Sequence, residues 1–155
     1  MEHDSVADVD LAGSWRLVEW RRIAGDGSVS FPLGQDAQGL LIYAPDGHMA
    51  VVLTAGGRPP IEGNDPLGGD ERARADAYST CLAYAGTYQR TGDTVVHTLE
   101  ESLYPNWTGT LQSRPIGERD GNLVLSTPPQ TGPSAGTVNE IVWSRASAPS
   151  DDVAA

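Results

Sequence analysis

The chain has 155 residues, which suits one domain with a single core, and its formal charge of −11 argues against a nucleic-acid partner or an anionic membrane surface. All ten Lys-plus-Arg residues are arginine, which excludes Schiff-base catalysis by lysine and a phosphate-loop lysine. A single cysteine, Cys81, allows no intramolecular disulfide, and we expect a buried structural thiol. Because the sequence shows neither a signal peptide nor an apolar run of membrane-spanning length, we expect a cytoplasmic protein.

The domain organisation follows from composition at the two ends. Residues 1–10 are acidic and lack an apolar run, so they are predicted to form a flexible arm. Residues 147–155 are small and polar and are predicted to be a disordered tail. One folded domain is therefore expected over residues 11–146.

The first strand pattern carries tryptophans on both of its faces. Strict alternation places Trp15, Leu17 and Glu19 on one face, and Val18 and Trp20 on the other. We therefore expect this strand to be covered on both sides along part of its length.

A hairpin is predicted in the next part of the chain. Residues 39–44 and 48–54 are short apolar segments, and the Pro-Asp-Gly sequence at 45–47 is typical of a tight turn between strands. Residues 56–69 are rich in Gly and Pro and are predicted to be a long loop.

One helix is predicted, over residues 70–82. Asp70 suits the N-cap because its carboxylate accepts hydrogen bonds from free backbone N–H groups. The apolar stripe expected on this helix comprises Ala77, Tyr78, Cys81 and Leu82. A single helix after a long loop is expected to cover an opening or to pack on the outside of a sheet.

The remaining chain again alternates between strands and turns. The predicted strands are residues 84–90, 94–103, 107–116, 123–126 and 137–145. Eight or nine short strands joined mostly by tight turns predict an all-β protein, a single antiparallel up-and-down β-barrel of about eight strands. A barrel of that size encloses room for roughly one small ligand.

Several motifs resemble the bacterial and fungal lipocalin-like domain family over about residues 11–145. They are Gly13-Ser14-Trp15, Leu41-Ile42-Tyr43-x-Pro45-Asp46-Gly47, Leu82-Ala83-Tyr84-x-Gly86-x-Tyr88 and His97…Pro105-Asn106-Trp107-x-Gly109-Thr110. The resemblance implies a calycin-type barrel with an internal cavity. It also implies proximity to natural-product biosynthesis, where similar barrels act as cyclases or isomerases on polyketide-derived substrates. The opening Gly-x-Trp and the terminal Trp143-x-Arg145 are similar to secreted lipocalins, in which a closed-end tryptophan packs against a late arginine.

His97 is the first candidate catalytic residue. It is predicted to share a strand face with Val95, Leu99, Glu101 and Leu103. An imidazole among apolar neighbours could have its pKa moved near 7, which suits general acid–base catalysis. Glu101 lies about 13 Å further along the strand and is the second catalytic candidate. The alternative is a structural histidine that is hydrogen-bonded across the barrel.

Glu19 and Glu140 are the other predicted inward-facing carboxylates. Burial of a carboxylate is costly unless it is paired, and Arg16, Arg114 and Arg145 are available partners. An internal ion pair is one interpretation. The other is a functional group, with Glu140 supporting His97 in catalysis and Glu19 contacting the ligand.

Aromatic and amide side chains are predicted to line the cavity, with plain barrel core as the alternative. The candidate ligand-binding residues are Tyr43, Tyr84, Tyr88, Trp107, Gln112 and Arg114. If their face is internal, Gln112 and Arg114 would donate hydrogen bonds to a ligand carbonyl or carboxylate.

These observations lead to two main hypotheses of function. The first is a cofactor-independent cyclase or isomerase, pericyclic reactions included, that acts on a polyketide-type intermediate by holding it in a reactive shape. The second is a non-catalytic intracellular binder or carrier of a hydrophobic small molecule. A weaker third hypothesis is an interaction module with an apolar lid. No metal site is predicted, since His48 and His97 lack ligand spacing, no cofactor is expected, and a homodimer is left open.

Overall fold

The computed structural model describes residues 8–150 and forms an antiparallel β-barrel. Residues 1–7, which include His3 and most of the predicted arm, and residues 151–155 of the predicted tail lie outside the described residues. The strands are β1 (Gly13–Ile23), β2 (Val29–Ser30), β3 (Gln38–Tyr43), β4 (His48–Thr54), β5 (Cys81–Thr91), β6 (Thr94–Ser102), β7 (Leu111–Arg119), β8 (Asn122–Ser126) and β9 (Val138–Arg145). One α-helix, α1 (Glu71–Ser79), precedes β5.

Each long strand pairs with the next, and β1 also pairs with β9, so the sheet closes on itself. β2 is only a two-residue extension beside the end of β1, which leaves eight strands, β1 and β3–β9, in the barrel wall. The hairpin between β3 and β4 forms at the predicted turn, with Tyr43 opposite Met49. Closure pairs every long strand on both sides and leaves no long exposed edge. The all-β barrel prediction is confirmed.

The helix is shorter than predicted. The Asp70 side chain accepts a hydrogen bond from the Ala73 backbone N–H, as expected of an N-cap, but α1 ends at Ser79. Cys81 and Leu82 therefore open β5, and the predicted apolar stripe on one helix is wrong. Cys81 is half-buried instead of fully buried. Within residues 8–150, no helix is long and apolar enough to cross a membrane.

One end of the barrel is closed by Trp15. The guanidinium of Arg145 lies 3.9 Å from the Trp15 ring centroid, and the indole N–H donates to the Leu11 carbonyl at 2.9 Å. Arg145 also donates to the backbone carbonyls of Asp10 and Ala12 at 2.7 and 2.8 Å. The segment before β1 is thus held against the closed end.

The pairing of β5 with β6 contains a β-bulge. Ala85 lies opposite Glu101 whereas Gly86 lies opposite Leu99, so Glu100 is an extra residue in β6. A Cβ atom on Gly86 would lie 1.8 Å from the Thr98 carbonyl oxygen, so only glycine permits this close approach. Because the bulge reverses the alternation of faces, Glu101 is exposed although His97 and Leu99 are buried.

A second bulge interrupts β1. Leu17 lies opposite Trp143 but Glu19 lies opposite Val142, so Val18 is the extra residue. The inner face therefore continues from Leu17 to Trp20, and the predicted grouping of Glu19 with Leu17 is wrong.

The corner after β6 also differs from the prediction. Residues Pro105–Trp107 form one turn of 3₁₀-helix, and β7 begins at Leu111 instead of residue 107. The backbone N–H of Leu99 still donates to the Thr110 carbonyl at 2.9 Å, so the corner remains joined to β6.

A candidate ligand cavity

A cavity of about 390 Å³ lies inside the barrel, a volume within the range of small-molecule sites. Its apolar wall consists of Trp20, Leu41, Val51, Leu53, Leu82, Trp107, Leu125, Ile141 and Trp143. Its polar lining consists of Arg22, Tyr84, His97, Gln112, Arg114, Thr127, Gln130 and Asn139, and Pro128 also lines it. The described lining includes two arginines and no Asp or Glu side chain, so the interior of an acidic protein has a local positive charge.

His97 joins two tyrosines through its two ring nitrogens. The Tyr43 hydroxyl lies 2.5 Å from Nε2, and the Tyr84 hydroxyl lies 2.9 Å from Nδ1. The three residues come from β3, β6 and β5, and all three are buried. His97 thus crosslinks the barrel wall, as the structural alternative predicted, and one face of this cluster borders the cavity.

Burial keeps the three rings of this cluster neutral. It lowers the pKa of His97 to about 3, with the nearby positive charge of Arg114 acting in the same direction. It also raises the pKa of Tyr43 well above its usual value and raises the pKa of Tyr84, although Arg114 opposes both increases. The expected imidazole pKa near 7 is therefore wrong, because desolvation of the ring dominates.

Arg114 is a buried cation on the cavity wall. The residue is 8% exposed, and its hydrogen-bond partners include the Ser113 carbonyl at 3.1 Å, the Gln112 Oε1 at 3.5 Å and the Tyr84 side chain. Within residues 8–150, no carboxylate lies within ion-pairing distance of it. A buried guanidinium without an anionic partner carries an unusual energetic cost, which a bound ligand oxygen would offset.

Four further residues with polar groups at the cavity were not predicted from sequence: Trp20, Arg22, Asn139 and Trp143. The Trp20 indole N–H and the Arg22 Nε both donate to Asn139 Oδ1, at 2.9 and 3.2 Å. The indole N–H of Trp143 is buried and has no hydrogen-bond partner among the described residues. Trp20 was missed because strict alternation does not carry across the β1 bulge, and Asn139 was missed because β9 is apolar on both faces, so that its pattern does not show which face is the inner one.

The three glutamates predicted to face inward all lie on the outside of the barrel. Glu101 is exposed on β6 because of the Glu100 bulge, and Glu19 is partly exposed on β1 because of the Val18 bulge. Glu140 is also on the outer face, because residues 139, 141 and 143 are the ones of β9 that line the cavity. None of the three can contact His97 or a ligand inside the barrel in this arrangement.

Glu140 instead forms an ion pair outside the barrel, with partners other than the predicted ones. Its carboxylate accepts from Arg21 on β1 at 2.8 Å and from Arg119 on β7 at 2.6 Å, so the ion pairs connect β9 to its neighbour β1 and, across β8, to β7. Partial burial by itself would raise the pKa of Glu140, but the hydrogen bonds from the two arginines outweigh it and lower the pKa.

The other predicted ligand residues divide into two groups. Tyr84, Trp107, Gln112 and Arg114 line the cavity. Tyr43 and Tyr88 do not: Tyr43 contacts it only through His97, and the Tyr88 hydroxyl donates to the Ala44 carbonyl at 2.8 Å while its ring packs 4.5 Å from that of Tyr43. Among residues 8–150, no cluster of three His, Cys, Asp or Glu side chains is placed to hold a metal ion.

A barrel closed at one end by a tryptophan and hollow inside defines the class of cavity-containing calycin-type proteins. The lipocalin-like domain profile matches residues 12–146, and the chain belongs to that family. It is also similar to the 4'-hydroxy-3'-methoxypropiophenone carrier protein ppsC of Aspergillus oryzae, with 33% identity over 87 residues, 51% of this chain and 78% of the relative. The family and this relative support small-molecule binding in the barrel.

Proposed function

We propose that this protein is a non-catalytic carrier that holds a small, largely apolar, oxygen-bearing aromatic molecule inside its barrel. The observation that carries the proposal is the buried Arg114 guanidinium, which lies on an otherwise largely apolar cavity wall with no described carboxylate partner. Such a wall suits a flat apolar body, and the guanidinium suits a polar oxygen at one end of it. The carrier name of the similar fungal protein agrees with this interpretation.

The placement of the ionisable groups favours carriage over acid–base chemistry. His97 has both ring nitrogens engaged by tyrosines, and burial lowers its pKa to about 3. The carboxylates of Glu101 and Glu140 face away from the cavity. A proton donor and acceptor pair with matched pKa values near neutrality, which general acid–base catalysis needs, is therefore absent from the described cavity lining.

Binding of a defined probe tests the carrier proposal. Incubation with 4'-hydroxy-3'-methoxypropiophenone should quench the fluorescence of cavity tryptophans, and liquid chromatography with mass spectrometry should recover the compound unchanged after long incubation. Val51→Phe, which fills the cavity, should weaken binding about tenfold or more, whereas Val52→Phe on the outer face of the same strand should not. Equal binding by both variants, or no binding to the native protein, would refute the proposal.

A cofactor-independent cyclase or isomerase acting on a polyketide-type intermediate, pericyclic reactions included, is the second candidate. The observation in its favour is that Arg114 and Tyr84 lie together on the wall, where they could polarise a carbonyl while the cavity constrains the substrate's shape. Time-resolved chromatography of molecules that co-purify with the protein distinguishes the two functions. An isomeric product that forms with native protein but not with Arg114→Gln favours the enzyme; an unchanged ligand favours the carrier.

A further inference from the structure

The buried cluster of Tyr43, His97 and Tyr84 has one arrangement of protons that satisfies it. The Tyr43 hydroxyl is fully buried, and its described hydrogen-bond partner is His97 Nε2. A buried hydroxyl hydrogen needs an acceptor, so Tyr43 donates to Nε2, which must then be the unprotonated nitrogen. The His97 proton therefore lies on Nδ1.

This arrangement determines what Tyr84 offers to a ligand. With the proton on Nδ1, His97 donates to the Tyr84 oxygen across 2.9 Å. The hydroxyl hydrogen of Tyr84 is then not used by His97, and Tyr84 lines the cavity. Tyr84 is thus set as a hydrogen-bond donor toward the interior, beside the donor groups of Arg114.

The titratable side chains around the Tyr84 hydroxyl and the cavity are all positively charged or neutral. Arg114 on β7 is cationic and buried, whereas Tyr43 on β3, Tyr84 on β5 and His97 on β6 are neutral; Arg22, which is exposed on β1, adds a second positive charge to the cavity lining. The described cavity lining contains no Asp or Glu. In a poorly solvated interior, a guanidinium stabilises an anionic oxygen far more than a neutral carbonyl.

We propose that the carried molecule is an aromatic compound bound as its anion, with the ionised oxygen of a phenol or a carboxylic acid between the Arg114 guanidinium and the Tyr84 hydroxyl. This inference rests on the proposed carrier function and adds the ionisation state and the anchoring group of the ligand.

Absorption spectroscopy tests the inference directly, because a phenolate conjugated with a ketone absorbs at longer wavelength than the phenol. The probes are 4'-hydroxy-3'-methoxypropiophenone, its methyl ether 3',4'-dimethoxypropiophenone, which cannot ionise, and 3,4-dimethoxybenzoic acid. The phenol should bind as phenolate, and its ionisation midpoint should fall about 1–3 pH units below that of the free compound. The methyl ether should bind at least tenfold more weakly than the phenol. Tight binding of the acid, with the phenol bound only as a neutral molecule, assigns the anion to a carboxylate.

Two variants and a control test which side chains lower the ionisation midpoint of the bound phenol. Arg114→Gln should return the midpoint of the bound phenol to its free value, and Tyr84→Phe should reduce the shift while leaving Arg114 in place. Arg72→Gln removes the same charge from the exposed face of α1 and should change neither the spectrum nor the affinity. Circular dichroism and thermal melting establish that each variant is folded. If Arg114→Gln does not fold, the binding of the phenol to Tyr84→Phe and of the methyl ether to the native protein still test whether the ligand is bound as its anion.

The outcomes separate this inference from the proposed function. Binding of the phenol and its methyl ether with equal affinity and neutral spectra, together with weak binding of the acid, overturns the anionic anchor and leaves the carrier intact. A midpoint shift that persists in Arg114→Gln also overturns it. Failure of all three probes to bind the native protein counts against both the anionic anchor and the carrier.

Discussion

Gly86 on β5 approaches the carbonyl oxygen of Thr98 on β6 so closely that a Cβ atom on Gly86 would lie 1.8 Å from that oxygen. The contact occurs where Glu100 forms the β6 bulge, and it decides which β6 residues face the cavity. Glycine at position 86 therefore permits the bulge that shapes the barrel and also determines which β6 side chains reach the cavity.

Gly86→Ala is predicted to destabilise the barrel by about 1–3 kcal/mol or more, because the added methyl group must displace backbone. Denaturant unfolding measures the change in the free energy of unfolding. Gly117→Ala is the matched control, since a Cβ there would meet the Val124 Cβ at an ordinary 3.7 Å. A loss of stability for Gly86→Ala no larger than for Gly117→Ala would show that the bulge does not require glycine.

The pH dependence of stability should reveal that His97 is neutral and buried. In the unfolded chain a histidine takes up a proton near pH 6.5, but in the folded barrel the pKa of His97 is lowered to about 3. Between these two pH values the unfolded state therefore binds more protons than the folded state. The contribution of His97 to the free energy of unfolding is fully present above about pH 6.5. Below that pH it decreases as pH falls, by up to about 1.4 kcal/mol per pH unit.

His97→Gln should remove that part of the pH dependence, which unfolding free energies at pH 7 and pH 5 measure. The exposed His48, which lies beside Asp46 in the β3–β4 turn, provides the control. His48→Gln should retain the native slope between the two pH values. Identical slopes for native protein and His97→Gln would contradict a neutral, desolvated His97.

The outer ion-pair cluster around Glu140 should contribute to stability although it is remote from the ligand. Glu140→Gln is predicted to lower the free energy of unfolding by about 1 kcal/mol at pH 7, because it leaves Arg21 and Arg119 without their shared carboxylate. Since the folded pKa of Glu140 is lowered, this contribution is present above the usual carboxyl range and is lost as pH falls through the folded pKa.

Glu101→Gln is the control for that measurement, because Glu101 is exposed and should change stability by less than about 0.5 kcal/mol. Neither substitution should alter binding of the aromatic probe. A loss of ligand binding in Glu101→Gln or Glu140→Gln would restore these residues as site candidates.

Arg145 should stabilise the closed end without affecting the cavity. Arg145→Ala removes the contact with the Trp15 ring and two hydrogen bonds to backbone carbonyls, so a loss of about 1–3 kcal/mol is expected. Arg72→Ala, at an exposed pair on α1, should cost little. Thermal unfolding and probe affinity measured on the same samples test this. A weakened affinity in folded Arg145→Ala protein would show that the closed end communicates with the cavity.

The fold was predictable because its signals are local. The Pro-Asp-Gly turn at 45–47, the cap at Asp70 and the alternation of short strands depend on neighbouring residues, and the structure agrees with each. The identity of the inner face was harder to predict. β9 carries apolar residues on both faces, with Ile141 inward and Val142 outward, so its pattern alone leaves the direction of Glu140 undetermined.

By itself, the sequence determined the barrel and the strands on which candidate side chains lie, and its resemblance to the family implied the tryptophan at the closed end. Only the tertiary structure decided which of those side chains meet. The extra residues Val18 in β1 and Glu100 in β6 are β-bulges. Beyond each bulge, the residues of that strand point to the opposite face from the one that strict alternation predicts, although the local composition is unchanged. The contact of His97 with Tyr43 joins positions 54 residues apart. Strand closure creates that contact, and closure also leaves Arg114 inside the barrel and the three glutamates outside it.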